Sequence, residues 1–215
     1  MEKRTEKLKI GLAAFDIVLD ELVLQRQLGF LDEMIRWSAR VNLTAIRNLD
    51  EGIEKHLLDS LILRNYYQGH SLLDIGTGAG LPSIPLAIAD PGLQVVSVDS
   101  VGKKINFQQH IRRSFGLTNL MPLNCRVEDL PQESSFPLIT ARAFAPIEKI
   151  LELVQPLIAA GGELLLLRGA RDEMALDQTE IAMDKYGFRM KKQHSYVLPF
   201  SGSRRQILQI SHSQA

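Results

Sequence analysis

Cysteine is almost missing from this chain of 215 residues, with Cys125 alone. A single thiol excludes an intrachain disulfide and a cysteine-rich zinc site, and it suits a reducing compartment. No metal site is expected. Long apolar runs are also missing. No stretch approaches the roughly 18 apolar residues of a membrane span, and the opening MEKRTEKLKIG is charged, without an uninterrupted apolar segment. A soluble, cytoplasmic protein with no membrane attachment is expected. There is no excess of either charge, with 25 basic residues against 25 acidic, so the total announces no nucleic-acid partner. The distribution is less even: Lys185, Arg189, Lys191, Lys192, Arg204 and Arg205 stand against Asp184 alone, a net +5 from residue 184 onward. That tail reads either as a local phosphate-binding surface or as a solvated pair of strands.

What is present centres on residues 72–88, LLDIGTGAGLPSIPLAI. A short apolar run ends in Asp74, Gly76, Gly78 and Gly80 follow at alternate positions, and an apolar stretch with helical spacing comes next. That order is strand, tight turn, helix N-terminus, the ligand corner of a doubly wound α/β sheet. Dinucleotide folds use G-x-G-x-x-G so that a diphosphate can approach the backbone. The pattern here is D-x-G-x-G-x-G, and a leading carboxylate repels a diphosphate while suiting a cationic, amino-bearing ligand. S-adenosylmethionine is such a ligand, carrying a sulfonium, an ammonium and no phosphate. The plainer reading is a glycine turn that only lets strand and helix pack closely.

Residues 1–69 lack strand alternation and carry apolar positions at helical spacing, predicting an N-terminal cap of three helices broken near Gly29 and again over residues 41–49. Asn42 and Thr44 are placed to cap or turn. His56 and Asp59 lie three apart and share a helix face, as a packing pair or facing a substrate. From residue 70 to 215 strands and helices alternate. The run LQVVSV, residues 93–98, ends in Asp99, an acid placed to accept hydrogen bonds from a ribose diol or to cap the helix that follows. That helix, 103–115, carries Lys103, Lys104, Arg112 and Arg113 as a solvated face or an RNA footprint. A third strand, 119–125, is interrupted by Pro122 and belongs near an edge. After it, the Val127 backbone and the Glu128 carboxylate are placed to receive an adenine amino group, unless Glu128 only starts a helix. A fourth strand at 138–141 leads to Arg142 and Phe144, then a helix from Pro146 to about Ile158, a buried strand in GELLLLRG at 162–169, a helix over 171–186 stopped by Gly187, and two strands around the turn at 201–203. The expectation is a Rossmann-like α/β domain, its seven-stranded sheet mostly parallel with one antiparallel strand, as in class I S-adenosylmethionine-dependent methyltransferases.

The loop leaving the fourth strand restricts the chemistry. Methylation of an exocyclic amine usually goes with [Asp/Asn]-Pro-Pro-aromatic, which is absent, and carbon-5 methylation of a pyrimidine needs a cysteine nucleophile, whereas Cys125 sits in the third strand. The segment offered is Thr140-Ala-Arg-Ala-Phe-Ala-Pro146. An acceptor with its own lone pair, such as N-7 of guanine, needs neither base nor covalent nucleophile, only positioning and desolvation. Arg142 is suited to acceptors on the guanine edge or to a phosphate, or it pairs with Glu128 or Asp99; Phe144 stacks or fills the core.

NLTAIR (42–47), HLLDSL (56–61), the 72–88 block, VDSVGKK (98–104), RVEDL (126–130), TARAFAP (140–146) and RRQILQI (204–210) together resemble the bacterial glucose-inhibited division protein B family, the guanine-7-methyltransferases of small-subunit ribosomal RNA. The likeness spans nearly the whole chain. It implies S-adenosylmethionine as cofactor, a guanine in the decoding region of 16S ribosomal RNA, free or in the 30S particle, as acceptor, and Arg142 and Arg205 as the residues of catalysis. By block position the family's cofactor contacts fall on Gly76, Leu81, the Val127–Glu128 backbone and Arg142, and its second arginine on Arg205 or Arg204; with Lys103 and Lys104 these two arginines form the expected RNA contacts. The family's usual G-F-P-G-I-P reads Gly80-Leu-Pro-Ser-Ile-Pro85 here, which trades a ring for Leu81 and adds the Ser83 side chain, changes that bear on cofactor affinity rather than reaction class. Two competing readings remain: a methyltransferase of a small metabolite, suggested by the zero net charge, and a non-catalytic S-adenosylmethionine or nucleotide sensor. With no amphipathic seam left over, a monomer is expected.

Overall fold

Seven strands form one sheet in the computed structural model, which describes residues 2–131, 133–142, 145–169 and 176–212, the side chains of 176–178 excepted. The strands are β1 (Ser71–Ile75), β2 (Gln94–Val98), β3 (Leu120–Leu123), β4 (Phe136–Arg142), β5 (Ile158–Gly169), β6 (Phe188–Val197) and β7 (Arg204–His212), in the spatial order β3-β2-β1-β4-β5-β7-β6. β1 to β5 pair in parallel, and β7 is antiparallel to both of its neighbours. The expected sheet is therefore present, with β3, the strand interrupted by Pro122, at an edge. The strand order reverses between β1 and β4, and the crevice at the carboxyl ends of those two strands is where such a sheet holds ligands.

Helices α1 (Glu2–Ala13) and α2 (Glu21–Val41) open the chain. They are followed by a continuous helical path: α3 (Leu49–Gly52), a π-helical segment (Ile53–Leu58), α4 (Asp59–Leu61) and a 3-10 turn (Ile62–Asn65). The expected break near Gly29 is not there. α2 runs through it, and the chain interrupts at residues 14–20 instead, where Asp20 caps α2 by accepting from the Val23 amide at 2.8 Å. Gly29 does not terminate the helix, because the buried face of α2, with Leu24, Leu28, Leu31 and Met34, outweighs the modest helix cost of one glycine. Asn42 does end α2, in the left-handed conformation at φ 52°.

On the sheet's faces lie α5 (Ser83–Ala89), α6 (Gly102–Ser114), α7 (Ile147–Val154) and α8 (Leu176–Lys185). α7 stops at Val154, short of the expected Ile158, which instead begins β5; of the helix expected over 171–186, residues 171–175 lie outside the described residues. One apolar cluster joins Leu24, Phe30 and Leu58 of the N-terminal helices to Ile84, Phe107 and Leu165 beneath them, so that region shares its core with the sheet. Polar clamps reinforce the docking. Buried Gln27 donates to the Pro85 carbonyl at 2.8 Å, and buried Glu54 accepts from the amides of Phe200 and Ser201, at 2.6 and 2.8 Å, at the turn between β6 and β7. A carboxylate that collects two backbone N–H groups makes two charge-assisted bonds at once, so such a clamp fixes the hairpin end against the π-helical segment.

Candidate active site

The glycine turn follows β1 because Gly76, Gly78 and Gly80 all take positive φ, at 64°, 61° and 86°. Five of the amides along it are already occupied. Thr77 N donates to the Val98 carbonyl (3.1 Å), Gly78 N to Asp99 Oδ2 (2.9 Å), Gly80 N and Leu81 N to the Thr77 carbonyl, and Ser83 N to Asp74 Oδ2 (3.3 Å). A diphosphate cradle needs such amides free and aimed outward. This turn spends them inward, and two carboxylates flank it.

Asp74 differs from the sequence expectation of an anion standing guard at the bend. It is wholly buried, and Oδ2 is held by the Ser83 hydroxyl and amide. Burial pushes its carboxyl up to about 7, against the opposing pull of the Ser83 and Thr77 contacts and of the more distant Arg142. Its Oδ1 has no partner among the described residues, an orphaned buried acceptor at the ligand corner. Ser83 in turn meets Thr77 Oγ1 at 2.9 Å, so the residue that departs from the family pattern ties the turn together. Leu81 is likewise drawn inward, into the core with Ile84 and Ala79.

Asp99, at the end of β2, holds the turn and the start of α6 at once: Oδ2 takes Gly78 N and lies 3.5 Å from Lys104 Nζ, and Oδ1 takes Val101 N at 2.9 Å. Each oxygen retains a lone pair for a ribose hydroxyl. Behind the turn, buried Gln108 donates to the Gly78 carbonyl (2.8 Å) and accepts from Ser97 Oγ (2.7 Å), bracing the glycines against β2. Helical spacing brought Gln108 to the sheet side, but its polar duty carries no local signature. Val127 is buried and Glu128 exposed, and the acid that closes the 3-10 turn there is Asp129, which accepts from Arg126 N at 3.3 Å. A groove of about 550 Å³ opens beside them, lined by apolar Val127, Leu130, Leu153 and Leu157 and by charged Glu128 and Lys149.

Arg142 pairs with neither Glu128 nor Asp99. It leaves β4 next to the turn, since Ile75 aligns with Ala141, and Nη1 donates to Asp59 Oδ2 (3.3 Å) and the Lys55 carbonyl (3.1 Å). Asp59 Oδ1 lies 3.5 Å from Arg205 Nε and accepts from the Tyr196 hydroxyl at 2.7 Å. The two arginines singled out in the sequence, 63 positions apart by their numbers, thus meet on one carboxylate from α4. His56 shares their neighbourhood but is buried; burial and the Arg142 charge push its ring down to about 4. It is neutral at pH 7, with Nδ1 against the Lys55 carbonyl and Nε2 against Thr44 Oγ1 (2.9 Å), a packing partner rather than a base facing the cleft. Lys103 and Arg204 are exposed, and Lys104 is half-buried beside Asp99. Phe144 lies outside the described residues.

Those observations decide whether S-adenosylmethionine suits the corner. An orphaned carboxyl oxygen, a second carboxylate, an inward-spent set of amides and open space over Gly78 fit a cationic ligand without phosphate. The glycines predict a contrast. A Cβ on Gly78 meets nothing within 4 Å, whereas one on Gly80 would stand 2.3 Å from Ile84 Cδ1. Gly78→Ala therefore loses about tenfold or more in cofactor affinity for a stability cost of about 1 kcal/mol from its positive φ, and Gly80→Ala loses about 3 kcal/mol from strain plus overpacking. Thermal melts and calorimetric titration separate the two.

The sheet order and this corner define a class I, Rossmann-like S-adenosylmethionine-dependent methyltransferase. Solved structures share the fold: a S-adenosylmethionine-dependent methyltransferase from Methanosarcina mazei superposes with a TM-score of 0.59 at 17% identity, covering 72% of this chain and 98% of that one. The [4+2]-cyclase SpnF gives 0.62 at 13% identity over 93% and 98%, a reminder that fold alone does not select a reaction. The chain belongs to the rRNA small subunit methyltransferase G (GidB) family, whose model matches residues 24–207. It is 42% identical over 214 residues to the ribosomal RNA small subunit methyltransferase G of Syntrophotalea carbinolica, covering 97% of this chain and 96% of that one, and 35% identical over 211 residues to that of Francisella tularensis, covering 98% of each.

Proposed function

We propose that the chain transfers the methyl group of S-adenosylmethionine to N-7 of one guanine in the decoding region of 16S ribosomal RNA. The observation that carries this reading is the pairing of Arg142 and Arg205 on Asp59, beside the glycine turn, with the neighbouring His56 buried and neutral. In this reading Asp74, Gly76, Gly78, Gly80 and Leu81 shape the methionine end, Asp99 receives the ribose, and Val127 and Glu128 border the adenine.

Bound S-adenosylmethionine supplies an electrophilic methyl on a sulfonium. Guanine N-7 attacks with its own lone pair, the carbon–nitrogen bond forms as the carbon–sulfur bond breaks, and the positive charge passes from sulfur to the base. N-7 carries no proton, so no general base is required, in keeping with a neutral, fully engaged His56. The protein's task is to orient and to exclude water. Arg142 donates to guanine O6 or to a flanking phosphate while N-7 stays free, because a donor on N-7 would block the attack. Arg205 takes a second acceptor, and Lys103, Lys104 and Arg204 add contacts to the RNA backbone at the same end of the sheet. The 1–69 region acts as a cap that completes the cleft rather than as a separate binding module, a reading supported by its shared core. No helix among the described residues is long and apolar enough to cross a membrane. A ribosomal RNA substrate supports action in the cytoplasm, and in this reading the chain acts as a monomer.

The test is incubation with methyl-labelled cofactor and either naked 16S RNA or 30S particles. Label entering one or both RNA substrates supports the proposal. Label entering neither, with cofactor binding intact, removes it.

A further inference from the structure

Asp59 is the residue on which the two arginines converge, and neither the proposed chemistry nor the cofactor corner uses it directly. Its side chain is 8% exposed. It receives Arg142 from β4 on Oδ2, and Arg205 from β7 and the Tyr196 hydroxyl from β6 on Oδ1. The carboxylate itself comes from α4, immediately after the π-helical segment whose Lys55 carbonyl takes the other Nη1 bond of Arg142. Four separate stretches of chain are thereby fixed to one another at a single pair of oxygens. Interrupted helices of this kind concentrate at functional sites.

The bonding leaves each guanidinium gripped on one side. Arg142 spends Nη1 on Asp59 and Lys55, and Arg205 holds Nε 3.5 Å from Asp59 Oδ1 as an ion pair and spends Nη1 on the Arg204 carbonyl. Among the described residues nothing takes Nη2 of either one, and both side chains retain about a fifth of their exposure, 20% and 21%. A planar fork held along one edge presents its remaining N–H groups in a fixed direction. Two positive charges against one negative also leave the cluster net positive, so it attracts an anionic or carbonyl acceptor without collapsing into a closed ion pair.

We infer that Asp59, with Tyr196 supporting it, is a positioning residue: it sets the direction in which Arg142 and Arg205 present their free donors to the RNA acceptor. The inference rests on the proposed RNA methylation. Tyr196 steadies the carboxylate, its hydroxyl buried and giving its proton toward Oδ1, with its ring held edge-on by Phe15 at 5.8 Å. The alternative role for such a carboxylate is a screen over the arginines, displaced when an RNA phosphate arrives. The two roles predict opposite outcomes for RNA binding.

Asp59→Asn keeps the shape and one acceptor while removing the charge and the symmetrical grip. With cofactor and RNA both saturating, kcat is expected to fall by about tenfold to a hundredfold, with the RNA dissociation constant changed less than about threefold. Tyr196→Phe, which deletes a hydroxyl without emptying the site, is expected to lower kcat by about threefold to tenfold and provides the measurement should Asp59→Asn fail to fold. Adding Asp59→Asn to Arg205→Ala is expected to cost less than the product of the two single losses, because the same geometry is lost twice. An unchanged kcat in both variants, fully multiplicative losses, or RNA binding tightened by more than about tenfold on loss of the charge would each overturn the assignment, the last in favour of a displaced screen. Wild-type protein run in parallel keeps the two ideas apart. If it labels no RNA, the proposed function fails; if it labels RNA and the variants match it, only the role of Asp59 fails.

Discussion

Arg142→Ala is expected to lower methyl transfer to 16S RNA by about 10²–10³-fold, the range seen when one preorganised donor is removed from a reacting centre. The protein should remain folded, because Asp59 keeps Arg205 and the Tyr196 hydroxyl as partners and is not left as an isolated buried charge. Removing Arg142 and Arg205 together is different. The carboxylate then has only a tyrosine, and stability should drop by more than the two single losses combined, toward about 3–5 kcal/mol. Single-turnover kinetics with preformed enzyme–RNA complex measures the first effect, and chemical denaturation the second. Activity within about threefold of wild type in Arg142→Ala would mean that the arginine only closes the core.

The second large effect concerns pH. The Asp74 carboxyl is raised by burial to about 7, against an ordinary value near 4. A raised carboxyl in the folded state makes the native protein bind the extra proton between those values, so its contribution to stability declines as pH rises from about 4 to about 7 and is level above that. Cofactor binding should run the other way. A sulfonium and an ammonium arriving near the unpaired Oδ1 favour the charged carboxylate, lower its pKa and expel the proton. Affinity for S-adenosylmethionine is therefore expected to weaken as pH falls below about 7, approaching tenfold per unit, and to become independent of pH above it. Calorimetry in buffers of differing ionisation enthalpy should record proton release near pH 7, and Asp74→Asn should abolish both the release and the slope. A flat profile from pH 5 to 8 in the wild type would show that the carboxyl does not face the ligand's charge.

The contrast between Asp74 and Asp59 shows what the sequence reveals and what it hides. The turn at 72–88 was legible because strand, alternate glycines and helix are adjacent in the chain, and local chemistry dictates each step. The alternation of strands with helices, ending in a hairpin pair, likewise points to a mostly parallel sheet with one antiparallel strand. Burial is another matter. Asp74 reads as a charged carboxylate from its neighbours in sequence, and only Ser83 at the start of α5, closing over it, shows it to be enclosed with its carboxyl pushed up by burial. Asp59 reads as one polar residue on a helix face, since its partners lie at positions 142, 196 and 205 and nothing local points to them. The expected break at Gly29 fails for a related reason: the buried face of α2, with Leu24, Leu28, Leu31 and Met34, is set by tertiary packing and outweighs the modest helix cost of one glycine. The loop after the fourth strand pointed to Arg142, the resemblance to the family assigned Arg205 beside it, and the three-dimensional arrangement supplied the carboxylate that joins them.

The proposed function requires a methyl group to reach the imidazole edge of one guanine. Borohydride and aniline cleave RNA at 7-methylguanosine, so strand scission of 16S RNA after reaction reads both the position and the atom. Cleavage at one guanine in the decoding region, absent without enzyme and lost in Arg142→Ala, is the result the arginine pair and the free N-7 lone pair predict. Label incorporated into the RNA with no scission at any guanine would place the methyl on another atom and contradict it.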